Sequence, residues 1–325
     1  MLPVEYPKVV AIGGGTGLST LLRGLKHFPV DITAIVTVAD DGGSSGVLRE
    51  DFRIPPPGDI RNVLVALSGS ETLFNDLLQF RFSSDRGENY LDGHPVGNLL
   101  LAAMTALTDG DFVQAIENIG DVLNIKGRVY PASPAANVLH AELEDGTFVQ
   151  GESTLATKGS PIKRVFYQGD TEAVPEAIEA ILEADVVILG PGSLYTSVIP
   201  NILFPEIAAA VNNNLVADVV YIANIMTEAG ETDNYTAADH LQAIIDHGVT
   251  SVNKIIVNDE AIPQKFLLSY AEENAIPVEN DIERLEEELG VQVILSRVVD
   301  LSDNTVRHDS IKTAASVYAI ALDRL

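Results

Sequence analysis

The stretch Lys8–Gly17, KVVAIGGGTG, decides the fold because a short apolar run leads directly into a glycine-rich turn. The residues that follow, Gly17–Phe28, place their leucines at helical spacing. Asp31–Val38 is rich in β-branched residues and predicts a second strand. The beginning of the chain therefore predicts a strand, a turn, a helix and a parallel strand joined by a right-handed crossover.

The same alternation of strands and helices returns in the C-terminal half. It predicts helices at Glu176–Ala184, Ala237–His247 and Ser310–Leu325, and strands at Asp185–Leu189, Val219–Ala223 and Lys254–Val257. Strands that alternate with helices indicate a mainly parallel sheet that is covered on both faces. The sequence therefore predicts an α/β, Rossmann-like three-layer fold with a mainly parallel central sheet.

The middle of the chain interrupts this alternation. Ala39–Asp59 carries paired Asp, Gly and Ser residues and a run of prolines, and it predicts a loop. Four helical patterns, at Asp59–Leu67, Thr72–Phe82, Val96–Leu107 and Phe112–Leu123, predict an α-rich insertion over about residues 59–125. Two short segments predict a β-hairpin over about residues 137–151. No linker is evident, so we expect a single elaborated domain over residues 1–325.

The charge balance excludes several classes of protein. The 47 Asp and Glu residues against 20 Lys and Arg give a formal net charge of −27, whose field repels nucleic acids. Cysteine is absent, which excludes disulfides, thiolate nucleophiles and cysteine-rich metal sites. The N-terminus lacks a signal-peptide pattern, and no apolar run reaches the roughly 20 residues of a membrane helix. We therefore expect a soluble, cytoplasmic protein without a membrane span that binds no nucleic acid.

The glycine-rich turn GGGTG lies between the first predicted strand and the first predicted helix. Backbone N–H groups at a helix start attract anions, and missing β-carbons let a phosphate approach closely. The dinucleotide fingerprint requires Gly or Ala where Leu18 stands, and the Gly-Lys-Ser/Thr of a P-loop does not follow. A tight turn without a ligand is the alternative. We expect a phosphate-binding turn formed by Gly13, Gly14, Gly15, Thr16 and Gly17.

Asp40 and Asp41 come directly after the second predicted strand, in the loop DDGGSSG. That position places them at the same sheet edge as the glycine turn. Paired carboxylates beside a phosphate hold Mg²⁺, and one carboxylate at this place bonds a ribose in dinucleotide folds. Alternatively, either Asp satisfies its own loop backbone in an Asx turn. Ser44 and Ser45 of the same loop are candidate phosphate ligands.

Two later helix starts carry further candidates. Asp59 stands at a natural N-cap position, and Arg61 and Asn62 follow in the first turn. A cation at a helix N-terminus opposes the helix dipole unless an anion is nearby, so Arg61 is a candidate ligand contact. His94 and Asn98 flank the start of another helix, either as ligand contacts or as structural hydrogen-bonding residues.

The loop after the strand Asp185–Leu189 contains Gly192 and Ser193 and opens at the same sheet edge. Ser193 is a candidate phosphate donor or a plain helix cap. The Gly-x-Ser-x-Gly pattern of a nucleophile elbow is absent there. Elsewhere, no nucleophile–base pair is evident from the sequence.

The segments Gly13–Thr20, Val38–Gly46, Pro57–Asn62, Gly93–Asn98 and Leu189–Ser197 occur in one order along the chain. Together they resemble the gluconeogenesis factor family of bacteria, relatives of archaeal 2-phospho-lactate transferase. The resemblance implies a 2-phospho-lactate transferase-like core in the cytoplasm that binds UDP-sugars such as UDP-N-acetylglucosamine. It further implies a part in cell shape and wall synthesis during gluconeogenic growth. Thr305–Asp309, with Arg307, resembles a segment that closes over the nucleotide.

Near that segment, Tyr270 is a candidate for stacking on a base, although it also lies on an apolar helical face, and Asp309 is a candidate cap of the last helix.

Three functions remain open at this point. The leading one is a UDP-sugar-binding regulatory protein, with a homo-oligomer and a wall-synthesis protein partner as open possibilities. The second is a Mg²⁺-dependent transferase, since the archaeal relatives move a phospholactyl group from a guanosine diphosphate ester to a deazaflavin hydroxyl. The third, an NAD-linked oxidoreductase, is disfavoured by Leu18.

Overall fold

A computed structural model describes residues 5–69, 72–83, 90–155 and 160–323. Its strands are β1 Lys8–Gly13, β2 Asp31–Val36, β3 Arg128–Pro131, β4 Leu139–Leu143, β5 Phe148–Gln150, β6 Ile162–Tyr167, β7 Val186–Leu189, β8 Asp218–Ile222, β9 Lys254–Asn258, β10 Gln292–Ser296, β11 Val299–Asp300 and β12 Arg307–His308. Its helices are α1 Gly15–Leu25, α2 Gly43–Phe52, α3 Gly58–Leu67, α4 Thr72–Gln79, α5 Val96–Leu107, α6 Phe112–Leu123, α7 Glu152–Leu155, α8 Pro175–Leu182, α9 Ile199–Ile202, α10 Pro205–Asn213, α11 Ala237–Asp246, α12 Gln264–Glu272 and α13 Ser310–Leu322. Single π-helical turns occur at Leu194–Val198 and Arg284–Glu288.

The central sheet has seven parallel strands in the order β3-β2-β1-β7-β8-β9-β10. Its strand order reverses direction between β1 and β7, because β2 and β3 extend the sheet to one side and all later strands extend it to the other. Open α/β sheets bind their ligands in the crevice at such a switch point, outside the carboxyl ends of the strands. The topology therefore places the candidate site at the ends of β1 and β7.

Helices cover both faces of this sheet. Alternate residues of β1 enter two different apolar cores, Val9 and Ala11 on one face and Val10 and Ile12 on the other. The first face packs against α1, α3 and α13, and the second against α8, α10 and α11. Because both faces are buried, the strands are apolar almost throughout. The predicted Rossmann-like three-layer fold is confirmed.

The sequence missed several elements in the middle of the chain. The predicted loop Ala39–Asp59 contains α2, whose Gly and Ser residues are weak helix formers and which is held by burying Leu48 and by packing on α5. The edge strand β3 was not predicted, because a four-residue strand carries little pattern. The predicted hairpin is part of a three-stranded sheet, in which β6 pairs with β4.

Some boundaries also differ. The helix predicted over Thr72–Phe82 ends at Gln79, and the strand predicted over Asp31–Val38 ends at Val36. The last helix ends at Leu322, and the final two residues of its predicted range lie outside the described residues. The α-rich insertion is confirmed as α3 to α6. The assignment of residues 1–325 to one domain stays a prediction.

No single helix within the described ranges is long and apolar enough to cross a membrane. One bent pair, Leu194–Ile202 with Pro205–Asn213 at 78°, meets the length and composition criteria only when its members are taken together.

Candidate functional site

A cavity of about 350 Å³ lies at the carboxyl ends of β1, β7 and β8. We call it the turn cavity. Its walls include eight of the residues that the sequence singled out, Gly14, Gly15, Thr16, Gly17, Gly192, Ser193, Tyr270 and Arg307. Ten more lining residues were not singled out as candidates, among them Thr20, Ser197, Asn224, Glu228 and His308. The cavity thus lies at the switch point that the strand order defines.

The glycine turn has a conformation that side chains would disturb. Gly15 begins α1 with φ of 60°, in the left-handed region that favours glycine. A β-carbon on Gly17 would collide with the carbonyl oxygen of Pro191, so the two glycine loops pack backbone to backbone. Gly13 is buried at the end of β1 and does not line the turn cavity. The first-turn N–H groups of α1 at Thr16 and Gly17 have no partner within the helix.

Asp59 lies beneath this turn. The sequence predicted it as an N-cap, but α3 begins one residue earlier, and Pro57 occupies the cap position without a side-chain bond. The Asp59 carboxylate instead accepts the backbone N–H of Gly15. Burial, and then the neighbouring Asp40, raise the pKa of Asp59 to about 6. One N–H of the predicted phosphate turn is therefore already bonded to a carboxylate of the protein.

The two carboxylates of the predicted magnesium site bond to different parts of the chain. Asp40 Oδ1 accepts the backbone N–H of Gly42 at 2.9 Å, which is the Asx-turn alternative. Asp41 Oδ1 accepts the backbone N–H of Ser153 at 3.0 Å, across to α7. Within the described ranges, no group of three or more His, Asp or Glu side chains is arranged to hold a metal ion. Magnesium binding by Asp40 and Asp41 stays a prediction.

Further acidic side chains surround this region, and the sequence reasoning missed them. Burial, followed by repulsion from Asp40 and Asp59, raises the pKa of Glu152 to about 8. Glu231 is 7% exposed, and burial together with Glu228 raises its pKa to about 8. Nothing in their local sequence distinguishes these glutamates from solvated ones, because the chain brings them together only on folding.

A second polar group lies on the β2 side of the turn, and we call it the buried network. It consists of Ser44, Arg61, Asn62, His94 and Asn98. Ser44 Oγ lies 2.8 Å from His94 Nδ1 and accepts a hydrogen bond from Asn98 Nδ2 at 3.1 Å. Arg61 donates from Nη1 to Asn98 Oδ1 at 2.9 Å and from Nη2 to Asn62 Oδ1 at 2.8 Å. These predicted residues are therefore together, but they do not line the turn cavity.

Arg61 is only 6% exposed, and burial lowers its pKa to about 10. Its place at the start of α3 is explained by the bonds to two asparagines and by the nearby carboxylates of Asp59 and Asp40. Ser45 is also buried, with Oγ close to Gly58. Ligand contacts by the buried network stay predictions. The Ser44–His94 contact itself was not foreseen, since fifty residues separate the two side chains in sequence.

The remaining predicted residues occupy the opposite wall. The Ser193 side chain makes no helix-capping hydrogen bond. Its Oγ instead donates to Glu228 Oε1 at 3.0 Å, across the cavity wall. Tyr270 Oη accepts the backbone N–H of Val306 at 2.9 Å and so ties α12 to the chain just before β12. This contact positions the exposed Arg307 at the cavity mouth. Asp309 caps α13 by accepting the N–H groups of Ile311 and Lys312, as the sequence indicated.

Comparisons with known proteins identify the family of the chain. Residues 9–299 match the family model described as 2-phospho-L-lactate transferase CofD. The chain is 53% identical to the gluconeogenesis factor of Bacillus subtilis strain 168 over 313 residues, covering 96% of this chain and 97% of the relative. It is 54% identical to that of Halalkalibacterium halodurans, with 97% and 96% covered.

A solved structure shows the same architecture. The crystal structure of a Bacillus halodurans protein superposes with a TM-score of 0.92 at 53% sequence identity, covering 97% of this chain and all (100%) of that one. The shared fold spans both the turn cavity and the buried network, since the match extends over nearly the whole chain. The resemblance that the five sequence segments indicated is thereby confirmed, and the chain belongs to the 2-phospho-L-lactate transferase CofD family.

Proposed function

We propose that this protein binds a nucleotide-sugar of the UDP-N-acetylglucosamine type in the turn cavity. The observation that carries the proposal is the position of that cavity, at the switch point of the sheet and against the N-terminus of α1. A helix N-terminus that begins in a glycine turn is suited to a diphosphate. The volume of the turn cavity, about 350 Å³, falls in the range of roughly 300–1,000 Å³ typical of small-molecule sites.

Charge supports a localised mode of anion binding. The formal net charge of −27 opposes any anion at long range, so the diphosphate depends on nearby donors. The donors at the turn cavity include the N–H groups of Thr16 and Gly17 and the guanidinium of Arg307, whereas the Thr20 hydroxyl donates to the Thr16 carbonyl. Arg307 stands at the cavity mouth on the short strand β12. Because its side chain is exposed, contact with a phosphate would break no buried ion pair.

The biological role we propose is regulatory and cytoplasmic. Relatives at 53% and 54% identity are named gluconeogenesis factors, which supports a function during growth on gluconeogenic carbon sources. A part in cell shape and wall synthesis, exerted through a protein partner or a homo-oligomer, is included in this proposal. Ligand binding would then act as a signal, because a bound state shifts the population of the form that a partner recognises.

A Mg²⁺-dependent phosphoester transferase is the second candidate. The matched family model is that of a transferase, and the Ser44–His94 contact supplies a hydroxyl beside a base. The donor set fits Mg²⁺ in part, since Asp40 and Asp59 are neighbouring carboxylates, whereas Asp41 is bonded to the chain at Ser153. Bound Mg²⁺ would neutralise charge on the diphosphate. In this chain, Asp40 and Asp59 would hold the Mg²⁺ ion, and His94 would orient the Ser44 hydroxyl.

A thermal-shift panel separates these functions. Ligands that bind the native state raise the melting temperature by mass action. UDP-N-acetylglucosamine and UDP-glucose are expected to stabilise the protein without Mg²⁺, whereas NAD and inorganic phosphate at equal concentration are not. Stabilisation by UDP-sugars that appears only with Mg²⁺ would favour the transferase. Stabilisation by NAD alone would overturn the proposal and restore the oxidoreductase.

A further inference from the structure

Two helices of the α-rich insertion, α4 and α5, form a pair at the surface. They pack against each other, and the backbone N–H of Val96 donates to the carbonyl of Phe80 at 3.0 Å, so the end of α4 meets the start of α5. On the inner side of the pair, Leu78 and Leu101 are buried in the core that covers one face of the sheet. The inner side of the pair is therefore accounted for by packing within the chain.

The other side of the pair is apolar too, and it is exposed. Leu73, Leu77 and Phe80 are separated by four and three residues, a spacing that places them along one side of α4 and the residue after it. Leu73 is 78% exposed and Phe80 is 53% exposed. Leu100 and Leu107, seven residues apart on α5, are also exposed. We call the surface formed by these five side chains the outer face.

Helices at the surface of a monomer rarely have this pattern. A surface helix is apolar toward the core and polar on its other side, whereas a helix that is apolar on all sides is buried. The helix α5 contains no charged residue, and α4 contains one, Asp76. With a rise of about 1.5 Å per residue and about 8–10 Å between axes, the outer sides of the two helices span on the order of 300 Å². An exposed apolar patch of this size is often an interaction site.

The charges at the outer face indicate which partner covers it. The net charge of −27 makes two copies of the chain repel each other over most of their surface. Repulsion is weakest at the outer face, because Arg81, just past the end of α4, balances the charge of Asp76. The Arg81 guanidinium is exposed, and its Nη1 donates to the carbonyl of Gly93 at 2.8 Å. A face with one charge of each sign can pair with a second copy of itself.

We infer that the outer face is a two-fold interface between two copies of this chain, in which α4 of one copy packs antiparallel to α4 of the other. A two-fold axis places the same surface on both sides of the interface, so that surface must complement itself. An axis through the last turn of α4 brings Leu77 opposite Phe80 of the second copy, and Asp76 opposite Arg81 of the second copy. Apolar contacts then lie at the axis, with an ion pair on each side of it.

Sedimentation velocity of the full chain over a concentration series tests this interface. The unmodified protein is expected to dimerise with a dissociation constant below about 100 μM, since the interface is at the small end of the usual size range. Leu77→Glu places two carboxylates among apolar side chains at the axis and should weaken dimerisation at least about tenfold. Leu215→Glu is the matched control, because Leu215 is 92% exposed in the loop before β8, outside the outer face, and this variant should dimerise normally.

A charge exchange tests the antiparallel register. In Asp76→Arg, two arginines face each other across the interface, and in Arg81→Asp, two aspartates do. Each single change should therefore weaken dimerisation at least about threefold. The double variant Asp76→Arg, Arg81→Asp restores both ion pairs and should recover most of the lost affinity. Loss of the Arg81 hydrogen bond to Gly93 alone would not be rescued by Asp76→Arg.

The outcomes separate this inference from the proposed function. A protein that stays monomeric up to about 100 μM overturns the inference and makes the outer face a surface for a different protein. A dimer that Leu77→Glu leaves unchanged, in a variant whose melting temperature shows a folded chain, overturns it as well. A double variant that does not recover overturns the antiparallel pairing. Because α4 does not line the turn cavity, Leu77→Glu should bind UDP-N-acetylglucosamine within about twofold of the unmodified protein.

Discussion

The turn cavity and the buried network lie on opposite sides of β1, and they use the same kinds of residue differently. On the β7–β8 side, the polar groups surround open space, and Arg307 is exposed. On the β2 side, Ser44, His94 and Asn98 bond one another around the buried Arg61. Residue type does not distinguish the two arginines, but their partners do. The comparison suggests that the network supports the loops and that the cavity receives the ligand.

Removing Arg61 should break the buried network. Arg61→Ala leaves Asn98 Oδ1 without its donor and Asn62 Oδ1 with only Gln79 Nε2 at 3.3 Å, and it creates a cavity beneath α5. We expect the free energy of unfolding to fall by about 2–4 kcal/mol, as measured by urea denaturation. Arg307→Ala, at an exposed position, should change it by no more than about 0.5 kcal/mol. Equal losses in the two variants would remove the distinction between the two sides.

Glu231 tests the acidic groups beside the turn cavity. Its folded-state pKa of about 8 lies above the ordinary value of 4.5, so the folded chain keeps a proton that the unfolded chain releases in between. Stability is therefore lost as pH rises through this window. The Glu231→Gln variant has no carboxyl group to deprotonate, so it does not lose this stability. Its amide oxygen can still accept the hydrogen bond of the Thr196 hydroxyl. Relative to the unmodified protein, the free energy of unfolding of the variant should be about 2 kcal/mol higher at pH 9 than at pH 5.

Urea denaturation at the two pH values measures this gain. The exposed Glu206→Gln on α10 is the control and should show no such pH dependence. A Glu231→Gln variant whose stability follows the unmodified protein at both pH values would show that Glu231 is not held protonated.

Arg307 tests the ligand side of the comparison. Arg307→Ala removes a cation from the mouth of the turn cavity without breaking a buried network. We expect UDP-N-acetylglucosamine affinity to fall at least about tenfold, which corresponds to about 1.4 kcal/mol. Arg307→Lys should restore part of it, since the charge returns without the bidentate geometry. Calorimetric titration gives both values, and unchanged affinity in Arg307→Ala would place the diphosphate elsewhere.

The hydroxyl of Tyr270 should have a smaller effect. Tyr270→Phe removes the acceptor for the N–H of Val306 and frees the segment that positions Arg307. We expect a loss of about 1 kcal/mol in unfolding free energy and faster amide hydrogen exchange at Val306. Exchange at the Ala319 amide in α13 serves as an internal reference. If exchange at Val306 does not change, the tie between α12 and β12 is not made by this hydroxyl.

The sequence predicted the fold well where the pattern was strong. The apolar run at Lys8–Gly13 and the leucines after it decide β1 and α1, and α5 and α6 have the predicted boundaries. It failed at α2, where helix formation depends on tertiary packing rather than on propensity. It also failed at β3 and β6, because short or polar strands are defined by their partners.

The site was predicted in part, for a similar reason. Helix starts and glycine turns are local signals, and they located Gly14 to Gly17 at the cavity. The partners of these residues are not local. Asp59 bonds to Gly15 from another helix, and Glu228 reaches Ser193 from the loop after β8. Such pairings depend on the strand order, which the sequence alone does not specify.

The most direct test is a titration of UDP-N-acetylglucosamine with Mg²⁺ and, in parallel, with a Mg²⁺ chelator. It compares the unmodified protein with the Asp40→Asn, Asp41→Asn double variant. If the turn cavity binds the nucleotide-sugar without a metal, the variant should bind within about threefold of the unmodified protein or more tightly, because negative charge near the diphosphate is removed. Loss of binding in the variant, reproduced by chelation in the unmodified protein, would contradict the account and favour the Mg²⁺-dependent transferase.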